Sequence, residues 1–319
     1  MSRLISIAET AQWLQKRDDF LIITHRRPDG DTLGCAGALA QGLREIGKTA
    51  YVLYNPEVTP RYTRCVEDCW AADDYTPKTI IVVDTASIDL FTKNALAYKD
   101  NISLCIDHHS SNTKYADFVC LDSTYASCGE IVYEILMSIS KKISETTAER
   151  LYVAVSTDTG CFSFGNTTSN TLSVAARLVD AGAPIKYLNK ILFRTKTMGR
   201  VKIEGLINTG MEFHFDGKVA IVAITREMME LSDADEDDLD DIATIAGSIE
   251  GVGIGITIRE LSSINDCKIS VRAMPQYNAN EICKRFGGGG HQSAAGASIK
   301  KTITEVKTAL LEALKDFVK

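Results

Sequence analysis

Four short apolar runs constrain the fold more than any other feature of the chain: FLIIT (20–24), AYVLY (50–54), TIIVVD (79–84) and NISLCID (101–107). They are continuous rather than alternating, the pattern of strands buried on both faces. Stretches with helical spacing accompany them. One spans 4–17, with Ile5, Ala8, Trp13 and Leu14. Another runs from Thr32 to Ile46, with Leu33, Ala36, Leu39, Ala40 and Leu43, and Gly47 ends it. Apolar runs alternating with helices predict an α/β domain on a parallel sheet covered on both faces. Further helices are predicted over 128–140, over 148–160 behind a Thr146/Glu149 capping box, and over 170–182.

The character changes after about residue 190. KILFRTKTMGRVKIEGLINTG (190–210) reads as a connector and helix. MEFHFDGKVAIVAIT (211–225) is a strand pair turning at Asp216-Gly217, and 252–274 is another pair around a Ser-Asn-Asp turn. A glycine run and a final helix follow. This is the signature of an α+β domain. The predicted division is 1–188, a connector at 189–205, and a smaller domain at 206–319. With 319 residues, 45% of them hydrophobic, each domain can bury its own core.

A net charge of -7 excludes a surface that traps long nucleic acid everywhere, but leaves room for a small anion at a local site. Nine scattered cysteines without a CxxC pair exclude an all-cysteine zinc site or a disulfide framework. They read as reduced, buried thiols. The charged N-terminus lacks the apolar core of a signal peptide, and no apolar run approaches membrane-spanning length. The expectation is a soluble cytoplasmic protein with no membrane partner. The acidic run 233–241 reads as a solvated loop or helix start.

In an open parallel sheet, ligands bind beyond the carboxyl ends of the strands. FLIIT delivers His25, Asp29 and Asp31 in HRRPDGDTLG. TIIVV delivers Asp84. NISLCI delivers Asp107, His108 and His109. The helix near 150 delivers Asp158. Singly, each is ordinary: an Asp after a strand is usually a helix cap. Together they bring three of the chain's five histidines to one rim. Carboxylate with some imidazole and no thiolate suits manganese or magnesium. Two such ions can lower the pKa of a shared water and clamp a phosphoryl oxygen. His25, Asp29, Asp31, Asp84, His108 and Asp158 are the candidate ligands.

The ordered set HRRPDGD, VVDTAS, DHH, STDTG and GGGGHQSAAGA resembles the DHH phosphoesterase superfamily, with Asp107-His108-His109 as its motif and the glycine-rich tail resembling the DHH-associated C-terminal domain. Size and the lack of added domains resemble the bifunctional oligoribonuclease and pAp phosphatase branch. The resemblance implies two Mn²⁺, with Mg²⁺ as substitute: His25, Asp29 and Asp84 on one, and Asp31, Asp84, His108 and Asp158 on the other. It implies that His109 touches the scissile phosphate and that Asp107 orients its neighbours. It further implies that Gly288, Gly289, Gly290, His291 and Arg272 bind the nucleotide end of the substrate, across a cleft between the domains, with Arg285 a weaker candidate. Four glycines let backbone N–H groups approach a ligand, and the absence of Gly-Lys-Ser/Thr excludes a P-loop. The implied substrates are short RNA, cut to 5′-mononucleotides, and pAp, with a homodimer as the assembly. Linear dinucleotides (pApA, pGpG) are the nearest rival substrates, then cyclic di-AMP. A RecJ-like single-strand DNA exonuclease would be longer and carry a basic aromatic platform. A binding protein that has lost the chemistry would have broken metal motifs, whereas here every ligand position is filled. Arg26 and Arg27 read as an exposed rim.

Overall fold

The computed structural model describes residues 2–239, 241–261 and 265–318. It divides into two compact units, Met1–Thr195 and Lys196–Lys319.

The first unit holds a six-stranded, all-parallel sheet of β1 (Arg3–Leu4), β2 (Phe20–Ile23), β3 (Ala50–Val52), β4 (Thr79–Val83), β5 (Leu104–Asp107) and β6 (Phe118–Leu121), in the order β1-β6-β5-β4-β2-β3. Its helices are α1 (Ile7–Gln15), α2 (Gly30–Glu45), α3 (Cys128–Ser140), α4 (Glu145–Asp158), α5 (Ser169–Asp180) and α6 (Ile185–Asn189), the last continuing as a π-turn over Lys190–Arg194. The parallel sheet is as the apolar runs predict. Strand β6 is not expected, because DFVCL is brief and mixed, and β1 takes Leu4 from the helix expected over 4–17, which begins only at Ile7.

Both faces of the sheet are covered, but differently. Ile22, Ile81, Val83, Leu104 and Ile106 pack with α1 to α4 in the main core. The alternate residues Ile23, Ile80, Val82 and Cys105 pack instead with Phe91, Ala95 and Ile102. These come from 3₁₀ turns (Ile88–Leu90, Ala95–Tyr98) and loops, and not from long helices. The N-terminus of α4 also differs from expectation. Ser144 caps it, accepting from Thr147 N–H, so Thr146 and Glu149 lie inside the helix.

The second unit begins with α7 (Met198–Thr209). Its sheet comprises β7 (Glu212–His214), β8 (Val219–Ile224), β9 (Ile254–Glu260), β10 (Cys267–Ala273), β11 (Gly289–Gly290) and β12 (Ala294–Ile299), in the order β11-β12-β10-β9-β8-β7. All neighbours are antiparallel except β8 and β9. The helices are α8 (Arg226–Ser232), α9 (Ala279–Lys284) and α10 (Ile303–Leu314). Asp216 and Gly217 do turn the first hairpin, within a four-residue loop closed by Lys218 N–H donating to Phe215 O. Residues 262–264 of the expected Ser-Asn-Asp turn, and Asp240 of the acidic run, lie outside the described residues. The rest of the acidic run is not uniformly solvated. Asp238 is buried and accepts from the Thr197 hydroxyl at 2.5 Å and from Asp235 N–H at 3.2 Å, which explains part of that acidity structurally.

Candidate metal centre and nucleotide-binding strands

Three strands and two helix ends build the cluster in the first unit. Strand β2 ends at Ile23, and the chain turns through His25 to Asp29, the N-cap of α2, whose side chain accepts from Thr32 N–H at 3.0 Å. Asp31, in the first turn of α2, is buried. Its two oxygens accept the backbone N–H groups of Cys128 (2.7 Å) and Gly129 (2.9 Å) at the start of α3. A carboxylate is favoured there by the free N–H groups and the helix dipole. Asp84 follows β4 directly, with φ of +49°, a left-handed backbone that aspartate tolerates better than most residues but still at a cost of about 1–3 kcal/mol. Asp107 ends β5, and Asp158 ends α4.

The ligand atoms of His25, Asp29 and Asp84 all lie within 4.8 Å of one another. The same holds for Asp31, His108 and Asp158, and for Asp84, His108 and His109. His108 Nε2 is 3.5 Å from Asp84 Oδ1, 3.8 Å from Asp31 Oδ2 and 3.7 Å from Asp158 Oδ2. His25 Nε2 is 3.9 Å from Asp84 Oδ2. Such separations are long for hydrogen bonds. They suit pairs of ligands that each reach one cation at about 2.0–2.2 Å. Asp84 belongs to two of the three groups.

Electrostatics demands a positive charge here. Burial, with repulsion from Asp158 and Asp29, pushes the Asp31 carboxyl well up. Burial, with repulsion from Asp31 and Asp29, does the same to Asp84. Burial, then Asp29, pushes Asp158 to about 6. Asp84 Oδ1 is buried and accepts no hydrogen bond. A buried carboxylate oxygen without a donor is what a cation satisfies. The donor set of oxygen and imidazole fits a hard or borderline divalent ion; none of the nine free thiols joins the three ligand groups, and Cys35 meets the cluster only by donating its S–H to Asp31 Oδ1 at 3.3 Å.

The histidines are held differently. Burial would raise Asp107, but hydrogen bonds from His109 and Asn112 outweigh it and hold that carboxyl low. Asp107 Oδ1 accepts from His108 N–H (2.7 Å), His109 N–H (3.1 Å) and the His109 ring at Nδ1 (2.8 Å). Asp107 Oδ2 accepts from Asn112 Nδ2 at 2.6 Å. This raises His109, whereas burial lowers His108 toward the neutral form that can ligate a metal. Sequence reasoning missed Asn112. It also missed Thr32, whose hydroxyl lies 2.7 Å from Asp84 Oδ2, 3.1 Å from Asp29 Oδ1 and 2.5 Å from His25 Nε2. Thr32's position three residues after the N-cap aspartate was the available signal.

The second unit places the glycine run on its sheet edge. Gly289 and Gly290 form β11 against β12, and His291 N–H donates to Ala294 O at 2.8 Å. Arg272, on β10, pairs in register with Ala294. A Cβ on Gly288 would stand 2.2 Å from Gly296 O, and one on Gly290 2.6 Å from Ala294 O. These two glycines are therefore needed by the fold itself. Gly289 has open space, with nothing nearer than Asn280 Oδ1 at 3.8 Å, so its exposed backbone is free for close approach. The His291 side chain is exposed. Arg285 is engaged elsewhere, pairing with Asp316 at 2.6 Å over the Phe317 ring.

The chain matches the DHH family, N-terminal domain, over residues 19–155, and the DHHA1 domain over 216–319. A Thermus thermophilus protein named bifunctional oligoribonuclease and PAP phosphatase NrnA is 28% identical over 302 residues, spanning 92% of this chain and 89% of the relative. A Bacillus subtilis protein of the same name is 28% identical over 289 residues, spanning 88% and 90%. The crystal structure of an exopolyphosphatase-related protein from Bacteroides fragilis has the same fold, with a TM-score of 0.83 at 21% identity, covering 97% of this chain and 95% of that one. With both matches in order across most of its length, the chain carries a DHH domain followed by a DHHA1 domain.

Proposed function

We propose that the protein is a cytoplasmic, metal-dependent phosphoesterase that hydrolyses short oligoribonucleotides to 5′-mononucleotides and removes the 3′-phosphate of pAp to leave AMP, working as a homodimer without a membrane partner. The observation that carries this reading is the Asp84-centred cluster, with its donorless buried oxygen among carboxylates that repel one another. The relatives' names supply the substrate class. Among the described residues no helix is long and apolar enough to cross a membrane.

On this reading His25, Asp29 and Asp84 hold one divalent ion, and Asp31, Asp84, His108 and Asp158 a second, Mn²⁺ with Mg²⁺ as substitute. When bound, the ions supply the charge that lowers the pKa of water and neutralises phosphoryl oxygens. Asp107, fixed by Asn112, orients the His109 ring toward the scissile phosphate and favours its protonated form. Arg272, His291 and the backbone of Gly288 to Gly290 bind the terminal nucleotide. Both substrates present a phosphate on a 3′-oxygen and a nucleotide handle, so one site serves both. The division of labour runs by domain: the segment 1–188 performs the chemistry, and 206–319 reads the nucleotide.

The test is a product assay with Mn²⁺ on a five-nucleotide RNA, a twenty-four-nucleotide RNA and pAp, beside Asp84→Ala. Rapid mononucleotide release from the short RNA, little from the long one, phosphate from pAp, and at least about a thousandfold loss in the variant are expected. Efficient digestion of the long strand would instead indicate a processive exonuclease. Turnover of pApA or pGpG alone would indicate a dinucleotide phosphodiesterase.

A further inference from the structure

The cavity in front of the Asp84 cluster has a volume of about 710 Å³, ample for more than one phosphate group. Asp29, Asp84 and His109 line it together with Arg26, Arg27 and Glu57. The two arginines are exposed, and among the described residues neither guanidinium makes an ion pair or hydrogen bond. Their backbone, by contrast, is firmly held. Arg26 N–H donates to Leu90 O at 2.7 Å, His25 bridges to Phe91, and Asn55 Nδ2 donates to His25 O at 2.9 Å. Arg27 sits at φ of +48°, an uncommon conformation for a residue with a long side chain. A fixed, strained backbone thus presents two unpaired guanidinium groups in the same cavity as the metal ligands. Guanidinium is the side chain best matched to a phosphate, through paired N–H donors.

We propose that Arg26 and Arg27 form a second anion-binding position that takes the phosphodiester immediately 3′ to the scissile one. This deepens the proposed reading and rests on it. The second unit's glycine strand and Arg272 take the departing 5′ nucleotide, which leaves the downstream strand to the first unit. The position then discriminates between substrates. A pentanucleotide has a phosphate there, and pAp, whose second phosphate is on the departing nucleotide, has none. Glu57, lining the same cavity, disfavours anions on its side and so narrows where that phosphate can sit.

The experiment measures kcat and KM for a five-nucleotide RNA and for pAp with the full-length Mn²⁺-loaded protein, as wild type, Arg26→Gln, Arg27→Gln and the double variant. Glutamine removes the charge while keeping an unbranched polar side chain, and it suits either backbone as well as arginine does. The expected result is a rise of about tenfold in KM for the pentanucleotide in the double variant, with a much smaller change for pAp, and a shallower salt dependence of pentanucleotide KM. Equal losses on both substrates would overturn the proposal, because the arginines would then serve the metal centre or the departing nucleotide. Unchanged pentanucleotide kinetics would overturn it too. If wild type itself turns over neither substrate, the proposed function fails, a result distinct from either.

Discussion

At the residue scale, the cluster packs together carboxylates whose mutual repulsion a cation would relieve. Asp31, Asp84 and Asp158 crowd one small volume, and burial and mutual repulsion raise all three. The consequence for metal-free protein has a definite sign. A carboxyl raised from its ordinary 3.8 to about 6, as at Asp158, binds more protons folded than unfolded between those values. Stability therefore falls as pH rises through that window. Metal-free protein should melt at a higher temperature at pH 5 than at pH 7, and Asp158→Asn should flatten that slope. Adding Mn²⁺ should raise Tm more at pH 7 than at pH 5, since ions compete with protons for the same oxygens. Calorimetry on chelator-treated protein measures this directly. A pH-independent Tm would mean that the carboxylates are less confined than their geometry implies. The candidate ligands were legible because they follow apolar runs, where a period-based reading looks for them. Asn112 and Thr32 were not, because a buried amide or hydroxyl that bonds a carboxylate leaves no periodic trace.

At the scale of elements, the centre depends on how closely α2 and α4 approach. The N-terminus of α2 carries Asp29 and Asp31, and the C-terminus of α4 carries Asp158. Small residues permit the contact. A Cβ on Gly34 would stand 2.5 Å from Arg150 O, and one on Gly30 2.4 Å from Thr157 Oγ1. On Gly37 it would all but coincide with Cys65 O, which is backbone and cannot swing away. Gly34→Ala and Gly37→Ala should each destabilise by about 1–3 kcal/mol or more, by forcing the helices or the 63–65 turn apart. Gly30→Ala is the more informative change. It meets Thr157 alone, but its Cβ too, at 2.8 Å, so the C-terminal end of α4 must yield locally and with it the neighbouring Asp158. The expected outcome is a Tm within a few degrees of wild type, with weakened Mn²⁺ affinity by calorimetric titration. Undisturbed affinity would show that α4 can yield without moving its carboxylate. The helix periodicity of α2 was readable from Leu33, Leu39 and Leu43. Its glycines read only as low-propensity residues, since close packing depends on the partner helix, which a linear pattern does not display. The same limit explains the second face of the sheet, where single residues from 3₁₀ turns supply the cover.

At the scale of the whole molecule, the chain is two cores joined in sequence. Every member of the clusters around Leu39 and around Val82 lies before residue 196, and every member of those around Ile256 and Val222 lies after it. Among the described residues no buried apolar cluster is shared, which is why the change in sequence character near residue 190 was visible without any structure. Independent cores imply independent folding. A fragment ending at Thr195 should give a cooperative melt and retain Mn²⁺ binding, because His25, Asp29, Asp31, Asp84, His108 and Asp158 all lie within it. It should lose the nucleotide handle proposed for Arg272, His291 and the glycine strand. Charge-assisted contacts of that kind are each worth about 1.5–3 kcal/mol, so KM for pAp should rise by at least about tenfold. The metal centre itself would be intact, so residual turnover at saturating pAp should persist and should still vanish with Asp84→Ala. A folded fragment with unchanged KM would place substrate recognition wholly in the first unit, on the metal ligands and the arginines beside them.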